Sequence, residues 1–224
     1  MTTTVHERQQ PDSARYPAQA DFGGHGNVTS ESGSWRAVED RSPASRTGIW
    51  VGLAAITMTF AAFTSAMVVR QGSSTDWRHF ALPSVLYLNT AILLTSSVTL
   101  ELARQRVRWL ARGLQPRCAI PLLWLYVTLG LGWLFVVGQY AAWLKLRSEG
   151  LYLATSPSSS FFYLFTAIHA IHVLGGLAGL MVVVWRFSRP VPTLRLSTVS
   201  TVSYYWHFMD LLWVYLLFLL WTRI

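Results

Sequence analysis

Three observations predict an all-α fold, an integral membrane bundle of five transmembrane helices. The first is composition: of 224 residues, 52% are hydrophobic and only 12% are charged, whereas a soluble domain keeps about a quarter of its residues charged to stay wet. The second is length, because five apolar stretches reach the roughly 20 helical residues that a hydrocarbon core about 30 Å thick requires. The third is distribution, since the charges gather in short segments between those stretches.

The elements follow in order. Residues 1–47 mix Pro, Ser, Gly and Gln with both signs of charge and hold no apolar run. Such a stretch cannot bury enough surface to fold alone, and it is expected to be a disordered cytoplasmic tail. It shows neither the short apolar core nor the small-residue cleavage site of a signal peptide, so the first span is expected to direct insertion itself. The spans are placed at 48–69, 82–103, 118–143, 161–185 and 202–221, within one transmembrane domain over 48–224. The segment after the second span carries Arg104, Arg106, Arg108, Arg112 and Arg117 with no acid, and that after the fourth adds Arg186, Arg189 and Arg195. Both are expected to face the cytoplasm, because Lys and Arg near span ends set orientation. That places the N-terminus inside and the C-terminus outside. The opposite side has Arg70, Arg78, Lys145, Arg147 and Arg223, partly offset by Asp76 and Glu149. The net charge of +8 is thus read as membrane topology, not as a nucleic-acid surface. Cys118 is the only cysteine, which rules out an intrachain disulfide and any Cys-x-x-Cys redox pair.

Polar groups in hydrocarbon are costly, so the informative positions are the few inside the spans. In the fourth span His169, His172, Gly176 and Gly179 recur at helical spacing, which puts two imidazoles and a small-residue strip toward one neighbour. Gly175 and Gly179 also form a G-x-x-x-G, a pattern that lets two backbones approach closely in lipid. Two readings stand for the histidines. Neutral imidazole binds haem and copper; it also hydrogen-bonds between helices or to lipid. Residues three apart on one helix cannot grip opposite faces of one haem, and a copper site needs further ligands that the other spans hardly offer, so hydrogen bonding is the preferred reading.

The fifth span opens with Tyr204, Tyr205, Trp206 and His207, and Asp210 follows as the most deeply placed acid. It is a candidate functional carboxylate with His207 in reach on its own face, or half of a structural His–Asp pair beneath an interfacial aromatic belt. Trp221, about 25 Å further along the helix, belongs to the opposite belt. In the second span the hydroxyls can bond back to their own helix, while Asn89 is expected to face a neighbour and Glu101 to pair with Arg104 at i, i+3. A proton pump or coupled transporter needs titratable groups in series across the bilayer, and a transporter of the repeat type needs inverted repeats or broken helices; the spans show none of these. There is no phosphate-binding loop, no nucleophile with a base and no carboxylate pair. No catalytic residue is expected of this chain.

The residues also carry a family resemblance. FFYLFTAIHAIHVLGGLAGL (161–180) and YYWHFMDLLWVYLLFLLW (204–221) resemble the last two helices of cytochrome c oxidase subunit III. LPSVLYLNTAILLTSSVTLELAR (82–104) is similar to that family's preceding Leu-Asn-Thr helix, and GIWVGLAAITMTFAAF (48–63) more loosely to its upstream one. The resemblance implies an all-helical accessory subunit, without a redox centre of its own, bound to the side of catalytic subunit I in a bacterial cell membrane, with subunit II in the same complex. Haem and copper would sit in those partners. The family's roles are to stabilise subunit I, hold lipids, and sustain proton uptake and oxygen access during turnover. His169, His172, His207 and Asp210 carry over as packing and polar-network positions, and Trp206 beside His207 is a further subunit-contact candidate.

Two departures qualify the carry-over. Five spans correspond to the short bacterial form, which lacks the first two helices of the seven-helix form and the lipid cleft beside them. Ile56 stands where many members have a glutamate, so a proton role for that carboxylate does not transfer. Related subunits of quinol oxidases and nitric oxide reductases share the His-x-x-His and Trp-His-x-x-Asp patterns and form the nearest alternative. A haem-binding membrane cytochrome, which would give the isolated chain a Soret band, is the alternative of another class.

Overall fold

In the computed structural model the described residues are 43–73, 75–77, 79–112, 119–188 and 196–224. They form five helices in the order α1 (Pro43–Ser73), α2 (Val85–Ala111), α3 (Ala119–Ser148), α4 (Pro157–Phe187) and α5 (Leu196–Arg223). All five are long and apolar enough to cross a membrane. At 1.5 Å per residue, helices of 27 to 31 residues reach roughly 40–47 Å, the thickness of a bilayer with its headgroups. Residues 1–42 of the expected tail lie outside the described residues.

The helices outrun the apolar stretches that announced them. Arg104, Arg106 and Arg108, read from the sequence as part of a loop, ride on the last turns of α2, and Lys145 and Arg147 close α3. A cation at a helix C-terminus meets the negative end of the macrodipole, and its long stem lets the charge reach the headgroups while the backbone stays helical. The α3 terminus is built on Gly150, whose φ of +79° only glycine adopts without strain. There Gly150 N–H donates to Arg147 O and Leu151 N–H to Leu146 O, both 3.0 Å, the paired bonds of a Schellman stop. The chain then re-enters at Ser156, whose side chain accepts from Ser159 N–H while Ser159 answers to the Ser156 backbone, with Pro157 opening the helix. This reciprocal capping box satisfies donors that would otherwise be orphaned at the start of α4.

Packing divides the helices into a ring and an outlier. α2 lies along α3 and α5, and α4 along the same two, so α2–α3–α4–α5 closes on itself; α1 leans on α4 and α5 and does not touch α2. The segment from α1 to α2 therefore crosses the end of α5. Trp77 Nε1 donates to Arg223 O (2.9 Å), His79 Nδ1 lies 3.0 Å from Ile224 O, and Phe80 N–H donates to Ile224 O (3.0 Å). Carbonyls that end a helix without intrahelical donors are satisfied in this way. Exposed aromatics gather near both ends, with Trp50, Trp109, Tyr126, Trp185 and Tyr204 at one and Tyr87, Tyr140 and Trp221 toward the other, as amphipathic rings do at membrane interfaces.

Candidate functional site

Three groups of buried and half-buried polar side chains stand out between the ring helices. The first joins α2 and α5 at the arginine-bearing end. Ser97, Glu101 and Arg104 fall at i, i+4 and i+7, one stripe of α2, and α5 lies along it. Arg104 Nε stands 2.8 Å from Glu101 Oε2 and its Nη2 donates to Oε1 at 2.9 Å, the expected i, i+3 pair. Its guanidinium also lies over the Tyr204 ring, 5.7 Å from the centroid. His207 turns Nε2 toward Glu101 Oε2 at 3.7 Å and shares a short hydrogen bond through Nδ1 with Ser97 Oγ. The order Ser97–His207–Glu101 repeats that of a hydrolase triad, but the chemistry does not follow. Glu101 is committed to Arg104, and the backbone N–H groups around Ser97 are spent inside α2, leaving none to hold an oxyanion.

The anticipated pairing of His207 with Asp210 is not formed. Both imidazole nitrogens are engaged by α2, because the neighbouring helix brings a hydroxyl and a carboxylate to His207 from across the interface. Asp210 is 4% exposed, and neither carboxylate oxygen has a hydrogen-bond partner among the described residues, although the Ser97 hydroxyl faces it. A carboxylate buried with little more than a hydroxyl turned toward it is costly in hydrocarbon.

The second group is built on Trp206. Its indole is 1% exposed, not part of an interfacial belt as the sequence suggested, because α5 turns it between three helices. Nε1 donates to Ser96 Oγ of α2 at 3.0 Å. The six-membered ring fills a slot cut by two glycines: a Cβ on Gly132 of α3 would stand 2.9 Å from Trp206 Cη2 and 2.7 Å from Leu177 Cδ2, and one on Gly176 of α4 would stand 3.2 Å from Trp206 Cε3. Of the glycines singled out from the sequence, then, Gly176 makes the close approach. Gly175 and Gly179 would meet Tyr205 and Val202 only at 3.7 and 3.6 Å, ordinary contact distances, so the G-x-x-x-G pair does not set the spacing of α4 and α5. The difference is rotational, since of these three α4 glycines Gly176 is the one turned toward the indole.

The third group lies deeper. His169 is fully buried, its ring 4.9 Å from that of Trp213 and 6.0 Å, edge on, from Phe135. His172, sixty degrees or so around α4, looks elsewhere: it packs 5.9 Å from Phe60 of α1, and its Nδ1 lies 2.8 Å from Ile168 O of its own helix. The two imidazoles thus serve different neighbours. Trp213 Nε1 donates to Thr90 Oγ1 at 3.0 Å, and Trp143 Nε1 to Thr166 Oγ1 at 3.0 Å, so each of these indoles ties one helix to the next. Asn89 is 1% exposed with Oδ1 pressed on Gly138, facing α3 as expected. Each indole bond is worth about 1 kcal/mol made and 1–3 kcal/mol if its acceptor is deleted.

Sequence reasoning passed over Gln139, Gly132, Gly138 and Trp213. Gln139, the lone amide of the third span and 1% exposed, falls under the rule that flagged Asn89. The glycines carried no comparable mark, because the indole that needs them belongs to another helix.

Comparison with known proteins bears on most of the described bundle. A family model described as cytochrome c oxidase subunit III matches residues 51–223. The chain is 34% identical over 142 residues to cytochrome c oxidase subunit 3 of Corynebacterium diphtheriae, covering 61% of this chain and 63% of that protein, a little under two thirds of its length. It is 27% identical over 179 residues to cytochrome c oxidase subunit 3 of Thermostichus vulcanus, covering 77% and 84%.

Proposed function

The chain belongs to the cytochrome c oxidase subunit III family, and from that membership we propose that it serves as an accessory subunit of a haem-copper oxygen reductase. The match over residues 51–223 carries this reading, because it spans α2 to α5 in full and most of α1. On it, the chain holds no haem or copper; those centres belong to subunits I and II, with which it forms a complex in a bacterial cell membrane. Its contribution is to stabilise subunit I and to support proton uptake and oxygen access during turnover. The internal chemistry supports a scaffolding part: the indole–hydroxyl contacts and the His207–Ser97 bond join helix to helix and leave a stiff ring to present to a partner.

The arginine distribution supports the orientation proposed with it. α2 and α4 finish, and α3 and α5 begin, at the end bearing Arg104, Arg106, Arg108, Arg112 and Arg186. The end with Arg70, Arg223, Lys145 and Arg147 also carries Asp76 and Glu149, and Arg70 lies 3.5 Å from Asp76. The more basic end is the cytoplasmic one by the positive-inside rule.

The test is affinity purification of the tagged chain from native membranes in mild detergent, with a reduced-minus-oxidised spectrum and identification of what accompanies it. A large multi-helix partner carrying haem and consuming oxygen supports the proposal, and the donor that reduces it separates cytochrome c from quinol oxidases. Nitric oxide turnover in place of oxygen turnover refutes the oxygen-reductase assignment. A chain that arrives alone and coloured points to the cytochrome reading instead.

A further inference from the structure

We infer that the bundle holds a small site for ordered water at the level of His169, bounded by Asn89, Gln139 and His169. Each of these side chains is 1% exposed or less. Asn89 Nδ2, both amide atoms of Gln139 and both ring nitrogens of His169 have no hydrogen-bond partner among the described residues. Their positions converge. Trp213 ties two of them to one level, since its ring lies 4.9 Å from that of His169 while its Nε1 bonds Thr90, next in sequence to Asn89. Gln139 is bracketed on α3 by Phe135, which meets His169 edge on, and by Trp143, which bonds Thr166 one turn earlier on α4. The residue before it, Gly138, takes the Asn89 side chain against its backbone. Three helices therefore deliver an amide, an amide and an imidazole to one layer of the hydrocarbon region.

Donors and acceptors are both present, and no side chain of the layer answers them. Buried amides and imidazoles in native proteins are paired with protein or with water. A water molecule needs two to four polar partners, which this set supplies. The neighbouring Trp206 layer makes the contrast: there the indole N–H is satisfied by Ser96, and glycine backbone closes on the ring. This inference goes beyond the accessory-subunit reading and does not depend on it.

The experiment is X-ray radiolytic footprinting of the protein as purified from native membranes, read by mass spectrometry. Hydroxyl radicals made from bound water oxidise the side chains beside it, so burial alone does not protect them. The comparison uses like residues of like burial: Trp213 against Trp206, both 1% exposed, and Phe135 against Phe162, both 0%. Oxidation of Trp213 and Phe135 several-fold above their counterparts is expected, with Gln139→Leu reducing the excess to the level of the controls. Equal, low oxidation in both pairs overturns the inference and makes the layer dry, its polar groups meeting each other by side-chain rotation. Should Gln139→Leu not accumulate, the contrast within the unaltered protein decides the matter by itself.

Discussion

Adding one methyl group at Gly132 tests the account of the Trp206 slot. An alanine there would place its Cβ 2.7 Å from Leu177 Cδ2, 2.9 Å from Trp206 Cη2 and 3.2 Å from Trp206 Cζ2, separations that require something to move. Leu177 is 1% exposed and has little room to turn, and the indole is rigid and held by its bond to Ser96. Overpacking of this kind costs about 1–3 kcal/mol, which for a domain of this size corresponds to roughly 2–12 °C in Tm at 2–4 °C per kcal/mol. At Gly176 the nearest atoms are Tyr205 Cε1 at 3.0 Å and Trp206 Cε3 and Cζ3 at 3.2 and 3.3 Å, so a shift of a few tenths of an ångström suffices and Gly176→Ala is expected to cost less than about 1 kcal/mol. The assay is thermal unfolding of the detergent-solubilised chain. Because both substitutions press on the indole, their effects are coupled, and Trp206→Phe, which removes the far carbons, is expected to relieve the part of the Gly132→Ala penalty that falls on the indole and to leave the part that falls on Leu177. Gly132→Ala as stable as the parent, or Gly176→Ala the costlier of the two, refutes the slot.

Three further expectations follow from the same contacts. Ser96→Ala leaves the buried Trp206 N–H unpaired and is expected to cost about 1–3 kcal/mol in the same melt, with the loss largely absent in a Trp206→Phe background; an undiminished loss there would assign the effect to α2 itself. Asp210→Asn keeps the shape of a buried carboxyl that faces the Ser97 hydroxyl, so bundle stability is expected to hold within about 1 kcal/mol, while the assembled oxidase inactivates in fewer turnovers; a large fall in Tm with unchanged turnover would reverse that assignment. In a Cys118→Ser background, Arg112→Cys is expected to react with a membrane-impermeant maleimide only after the cells are opened and Glu149→Cys in intact cells, and the opposite pattern would invert the proposed orientation.

The five spans were legible because a bilayer imposes one length on any helix that crosses it, and hydropathy reports that length directly. Helix ends were not: α2 runs on through Arg104 and Arg108, since an arginine stem tolerates a helix as readily as a loop and only the neighbouring backbone decides. Within the site, Glu101 with Arg104 and the burial of Asn89 were readable because each follows from local spacing or from a polar group in an apolar run. The partners of His207, the roles of Gly132 and Gly176, and the divergence of His169 from His172 were not, because each is fixed by which helix stands opposite. One sequence records what a helix offers and not what faces it.

The crossing of residues 77–80 over the end of α5 also bears on the order of events during synthesis. The donors of Trp77 and Phe80 find their acceptors on Arg223 and Ile224, about 145 positions later in translation. The first and second helices can enter the membrane early, but the strap between them closes only when the fifth has been inserted beneath it. Until then α1 has only α4 to lean on and no neighbour in α2. The nascent chain therefore passes through a stage in which its first helix is tethered, without a neighbour before α4 arrives and held on one side alone until α5 does.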